Sequence, residues 1–187
     1  MAKVIFLNGM SSSGKTSIVK AIQHISPIPF LHFGVDTIID MMPSRWLSYN
    51  ENAKDGCYFQ SYKNEYGKAI SCHSGAYGEK VFSMGMKIIK TILDCNIHLI
   101  IDEVIWKQDT MNEYFTILNE YQTVYVRIKC SRQSAQEREI LRRNRAIGLA
   151  NDQFDKVESL IIKYHLEVNT DTISSFQAAD KILKLVL

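Results

Sequence analysis

The sequence predicts an α/β domain in three layers, a five-stranded parallel sheet with helices on both faces. Three observations predict it. Short unbroken apolar runs rich in β-branched residues recur at 4–7, 30–33, 99–101, 124–128 and 166–168, as strands buried on both faces do. Segments of helical period separate them, the alternation that builds a parallel sheet. The first run leads through Gly9-Met10-Ser11-Ser12-Ser13-Gly14-Lys15-Thr16 straight into a helix pattern.

At 187 residues the chain matches one domain spanning 1–187, able to bury a core without disulfide or metal staples. Its 46% apolar and 22% charged residues exclude low-complexity and disordered classes. A formal charge of +2 is too small to draw the whole surface to nucleic acid or membrane, so any anion chemistry must be local. Cys57, Cys72, Cys95 and Cys130 show no Cys-x-x-Cys spacing, which suits a reducing compartment and gives no zinc pattern; Cys72-His73 lacks a partner pair. The apolar stretch after Met1-Ala2-Lys3 is too short for a signal-peptide core or a bilayer span, so the expected location is the cytoplasm, with no membrane contact.

Taken in order, run 4–7 delivers the chain to the glycine loop, and 15–25 is the helix behind it. Gly, any four residues, then Gly-Lys-Thr lets backbone N–H groups fold around a polyphosphate at the positive end of that helix. The nucleotide set is therefore Gly9, Met10, Ser11, Ser12, Ser13, Gly14, Lys15, Thr16 and Ser17, with Lys15 reaching the β- and γ-phosphates and the Thr16 hydroxyl on Mg²⁺. Run 30–33 ends in Gly34-Val35-Asp36. A carboxylate there either accepts the proton of an attacking hydroxyl or caps the helix expected over 37–49. Segment 50–77, rich in Gly, Asn, Ser, Lys and Tyr, has no sustained period and reads as an irregular excursion, a lid over a substrate or a plain surface insertion.

Helix 78–93 leads to run 99–101, which ends in Asp102-Glu103 at the sheet edge where ligands bind. Asp102 is the candidate for holding Mg²⁺; Glu103, on the other side of the backbone, orients a metal water or the substrate, or is structural. After helix 110–118 and run 124–128, Ser134-Ala135-Gln136-Glu137 has capping-box form and opens a basic helix over 134–147. Six of the seven arginines fall between Arg127 and Arg145. Glu139 can relieve Arg142 and Arg143, whereas Arg138 and Arg145 keep no local partner. An arginine lid over 131–148 would stabilise a transferring phosphoryl group; a nucleic-acid patch competes, without the aromatic interleaving that base stacking needs. Helix 152–164, run 166–168 and helix 174–186 complete the chain. Glu167-Val168-Asn169-Thr170-Asp171-Thr172 makes a polar turn that either borders a nucleobase or is an Asx turn. Trp46, Trp106 and Tyr58 are candidates for a substrate pocket or ordinary core.

Together, 5–16, Phe33-Gly34-Val35-Asp36, Met42-Pro43, 100–104, Arg138-Glu139 with Arg142 and Arg145, Gly148 and Glu167-Val168-Asn169-Thr170 resemble the chloramphenicol phosphotransferase family, in order over nearly the whole chain. The resemblance implies a P-loop kinase fold, ATP and Mg²⁺ as cosubstrates, and phosphorylation of a small-molecule hydroxyl. It favours Asp36 as general base over the cap, and makes Arg142 and Arg145 lid arginines, Lys15 a phosphate group, and Thr16 and Asp102 the metal side. Glu103 departs mildly from the family's acidic pair. Between Asn50 and Gly78 little is shared, so chloramphenicol itself does not carry over. The alternatives are kinase action on a nucleotide or nucleic-acid hydroxyl, and a nucleotide-responsive RNA-binding module.

Overall fold

The structure, a computed structural model, describes residues 1–48, 50–142 and 146–187. In chain order the elements are β1 (Lys3–Asn8), α1 (Lys15–Ile25), β2 (Leu31–Gly34), α2 (Val35–Asp40), β3 (Leu47–Ser48), β4 (Cys57–Asn64), β5 (Gly67–Ser74), α3 (Ala76–Asp94), β6 (Leu99–Glu103), α4 (Gln108–Leu118), β7 (Gln122–Lys129), α5 (Arg132–Arg142), α6 (Leu149–Glu158), β8 (Leu166–Asn169) and α7 (Ser175–Val186). The main sheet has the order β2-β6-β1-β7-β8, every neighbouring pair parallel.

The unbroken apolar runs exist because both faces of this sheet are covered. Along β1, Ile5 and Leu7 join the core beneath α1 and α7, while Val4 and Phe6 join the core beneath α3 and α4. Ile100 on β6 faces the first core, and Leu99 and Ile101 the second. The alternation of strand side chains thus fills two cores at once. All five strands end at the same edge, which carries the glycine loop, Gly34 and Asp102-Glu103.

Four expectations are corrected. Helix 37–49 stops at Asp40 because Pro43 pushes its predecessor out of the helical region; a 3-10 turn (Ser44–Trp46) and β3 follow. Segment 50–77 is not irregular: β3, β4 and β5 form a second sheet, its eight-residue β4 and β5 antiparallel. Helix 152–164 begins earlier, at Leu149, and ends at Glu158. The periodic Leu160 and Tyr164 are used by a non-helical segment, where Leu160 is buried and the Tyr164 hydroxyl accepts from Asn8 Nδ2. The basic helix starts at Arg132, and the Ser131 hydroxyl, not Ser134, accepts the N–H three residues on. A reciprocal capping box does occur, at Ser174 and Gln177.

Candidate active site

The loop between β1 and α1 closes into a cradle. Gly14 has φ +99°, a conformation that L side chains rarely adopt, and its carbonyl accepts the first helical bond from Ile18. Lys15 folds back so that Nζ donates to the carbonyls of Gly9 (2.8 Å) and Met10 (3.1 Å). α1 carries no acidic residue in its first turn, so its positive end is unneutralised locally. Among the described residues the Ser11, Ser12 and Ser13 hydroxyl oxygens are buried without a hydrogen-bond partner. Buried polar groups are rarely left so, and a bound phosphate would satisfy them.

Facing the loop, Thr16 Oγ1 donates to Asp102 Oδ2 at 3.1 Å, Lys15 Nζ lies 3.7 Å from Asp102 Oδ1, and His32 Nε2 lies 3.6 Å from Oδ2. Burial pushes the Asp102 carboxyl up, but Lys15, His32 and Thr16 outweigh it and hold the group below its usual range. A hydroxyl and an ionised carboxylate side by side form an oxygen donor pair suited to Mg²⁺ with phosphate oxygens and water. Glu103 points to the other face of β6. Its Oε1 accepts from the Tyr114 hydroxyl at 2.9 Å, and burial, aided by the Asp102 and Asp36 charges, pushes its pKa up to about 8.

Asp36 lies in the first turn of α2, whose N-cap is Gly34, so the cap alternative for Asp36 is not the geometry found. A Cβ on Gly34 would collide with the Asp102 carbonyl oxygen, so glycine lets β2 and β6 run close and brings Asp36 beside Asp102. One cavity is lined by residues 11–16, Val35, Asp36, Asp102, Val104 and Arg142. A second, of about 400 Å³, lies behind Gly14 and is lined by Ser12, Ser17, Ile18, Arg138, Leu141, Arg142, Thr170 and Ser174 among others. The expected residues line two adjoining cavities, except Gly9 and Met10, whose carbonyls instead accept from Lys15 Nζ, and Arg145, which with Arg143 lies outside the described residues. Trp46, Trp106 and Tyr58 line neither: Trp46 packs on Tyr77, Tyr58 stacks on His73, and Trp106 joins a small cluster with Met10.

The arginines are individually placed. Arg138 donates to Thr170 Oγ1 (2.8 Å) and to the Thr170 carbonyl (3.1 Å) and pairs with Asp171, so it has partners that helical spacing hides. Thr170 Oγ1 in turn donates to the Ser13 carbonyl at 2.8 Å, tying this turn to the loop; the Asx turn is present too, with Asn169 Oδ1 accepting from Asp171 N–H. Arg127 pairs with Glu158 and Glu167, and Arg132 pairs with Asp155 and lies over the Tyr66 ring. Glu139, expected to relieve Arg142 and Arg143, has another task among the described residues. It is 1% exposed, and its oxygens accept from the N–H groups of Gly148 (2.7 Å) and Ala150 (3.0 Å), capping α6.

The expectations missed a row of buried polar residues on α6. Asn151 Nδ2 donates to the Tyr66 and Lys68 carbonyls, Asp152 accepts from the Tyr62 hydroxyl at 2.8 Å, and Gln153 Oε1 accepts from the Ser11 N–H at 2.8 Å. These bonds join the β4–β5 hairpin, α6 and the phosphate loop. Three polar residues in succession on a helix carry no spacing signal, and their burial depends on a hairpin that was itself unforeseen.

A sequence model of the family described as chloramphenicol phosphotransferase-like protein matches residues 2–187. The chain belongs to that family. A Mycobacterium tuberculosis (strain ATCC 25618 / H37Rv) protein named "Putative O-phosphotransferase" is 25% identical over 147 residues, 78% of this chain and 65% of that protein. The chain thus aligns with just under two thirds of that relative's length. Among solved structures, one titled as a "putative kinase" from Chloroflexus aurantiacus superposes with a TM-score of 0.63 at 15% identity, covering 100% of this chain and 99% of its own. The shikimate kinase of Acinetobacter baumannii, in complex with shikimate, gives 0.59 at 15% identity, covering 99% and 93%. At such identities the likeness shows the fold alone, a P-loop kinase fold. Among the described residues, no helix is long and apolar enough to cross a membrane.

Proposed function

We propose that this chain is an ATP-dependent O-phosphotransferase acting on a hydroxyl of a small molecule. One observation carries the reading: a single cavity holds the phosphate loop, Lys15, Thr16, Asp102, Arg142 and the carboxylate of Asp36. In this reading Asp36 takes the proton of the acceptor hydroxyl as its oxygen attacks the γ-phosphorus. Lys15 and Arg142 face the charge on the transferring group; Arg145, outside the described residues, is assigned the same role. Thr16 and Asp102 would hold Mg²⁺, which would supply positive charge against the phosphates. The cavity behind Gly14 takes the adenosine, with Arg138 and Thr170 at its wall and Ser17 beside the loop. The pairing of Arg127, Arg132 and Arg138 to carboxylates supports a small acceptor over a nucleic-acid backbone, which draws on uncommitted cations. Free cysteines and ATP use fit the cytoplasm.

The test is transfer of labelled phosphate from ATP to a panel of small-molecule alcohols. Asp36→Ala is expected to lower turnover by about 10²- to 10⁴-fold, the usual worth of a positioned base, with nucleotide affinity changed less than about threefold. Near-normal turnover in that variant removes Asp36 from the role of base.

A further inference from the structure

The two ends of the phosphate loop face different things. At the Ser13-Gly14 end, Thr170 touches the loop and the large cavity opens behind it. At the other end the Lys15 ammonium sits on the Gly9 and Met10 carbonyls, next to Ser11, and the cavity shared with Asp36 begins. In the proposed reading the adenosine lies toward the first end, so the Ser11 flank is the end of the outermost phosphate, where the acceptor must arrive.

Gln153 reaches this flank from α6. It is 7% exposed, and its Oε1 accepts from the Ser11 N–H at 2.8 Å. A backbone N–H can only donate, so the bond fixes which end of the amide is oxygen and turns Nε2, with its two donors, the other way. Among the described residues Nε2 has no protein partner: the bond to Ser11 is the one side-chain hydrogen bond that Gln153 makes. An amide held by its oxygen, with its donors reaching solvent beside a cradle for anions, is placed to give those donors to an anion that enters there.

We propose that Gln153 is a binding and specificity residue of the transfer site: Oε1 fixes the Ser11 flank of the loop while Nε2 donates to the outermost phosphate, so that it discriminates ATP from ADP. The inference rests on the reading of the site as a nucleotide site. Gln153 leaves α6 one residue beyond Asp152, which binds the hairpin through Tyr62, so the same helix meets the phosphate loop and the hairpin.

The test is equilibrium dialysis of labelled ATP and ADP with Mg²⁺ at pH 8, on the wild type and on Gln153→Glu. Glutamate keeps an acceptor for Ser11 but sets a carboxylate where the donors were. The ratio of ATP to ADP affinity is expected to fall by about tenfold or more, with ADP affinity changed less than about threefold. An unchanged ratio overturns the proposal, whether both affinities stay or both fall together, since a loop support alone does not distinguish the two nucleotides. A second measurement needs no variant: in wild-type protein labelled with ¹⁵N-glutamine, one side-chain amide is expected to shift on adding a slowly hydrolysed ATP analogue and not on adding ADP. The same response to both overturns the proposal. Failure of the wild type to bind either nucleotide counts instead against the nucleotide site itself.

Discussion

Asp102 and Glu103 are neighbours in sequence, yet β6 sends them to opposite faces and into opposite charge states. Asp102 meets Lys15, Thr16 and His32 and stays ionised, whereas Glu103 meets the Tyr114 hydroxyl in a closed core. With a pKa near 8 in the folded protein against an ordinary value near 4.5, Glu103 takes up a proton on folding at neutral pH. The native state then binds more protons than the unfolded chain, so this group's contribution to stability is intact below about pH 4.5 and declines as pH rises toward about 8. Glu103→Gln removes that dependence. Its stability relative to the wild type is expected to grow between these two pH values and to level off above, by a few kcal/mol in all. Urea titrations at pH 5, 7 and 9 check this; a difference that does not change with pH contradicts the protonated, structural Glu103.

At the scale of elements, the arginine helix is held from two sides by adjacent residues. Arg138 grips the turn after β8, and Glu139 caps α6, bridging the chain from α5 to Gly148 across the segment that contains Arg143 and Arg145. Glu139→Ala would leave two N–H groups at the start of α6 without their acceptor, a loss of about 1–3 kcal/mol. Because Arg142 lies three residues on and lines the phosphate cavity, turnover is expected to fall with it, while Glu139→Gln, which keeps an acceptor oxygen, recovers part of both. Thermal melts and steady-state assays on the two variants check this, and unaltered turnover in a destabilised Glu139→Ala would detach the cap from arginine placement. The capping role was hidden in the sequence because Glu139 stands at ideal helical spacing from two arginines, and local spacing says nothing of a helix start nine residues downstream. The hairpin was hidden for a different reason: β4 is mostly exposed, Cys57 alone being buried along it, so no alternation marks it.

At the scale of the whole molecule, legibility follows burial. The central strands β1 and β6 were visible because their residues fill a core on both sides, whereas edge strand β8 gives Leu166 and Val168 to one core only and β2 gives Phe33 to the other; the phosphate loop was visible because its glycines and Lys-Thr pair answer to a chemistry with fixed spacing. Asp36 sat at the right sheet edge but with two meanings; the placement of Gly34 at the helix N-cap removes the cap, and the role of base stands as the proposal. The polar ties of α6 to loop and hairpin belong to tertiary structure alone. They make the hairpin, the arginine helix and the loop after β1 neighbours of one helix.

The central claim is that the loop after β1 holds a magnesium nucleotide with its outer phosphate toward Asp36. Equilibrium dialysis of labelled Mg·ATP against the folded wild type and Lys15→Ala tests it most directly. Saturable uptake by the wild type, weakened about tenfold or more when the Lys15 ammonium is removed, is the result expected. A folded wild type that takes up no nucleotide, or a Lys15→Ala variant that binds it as well, would contradict the account.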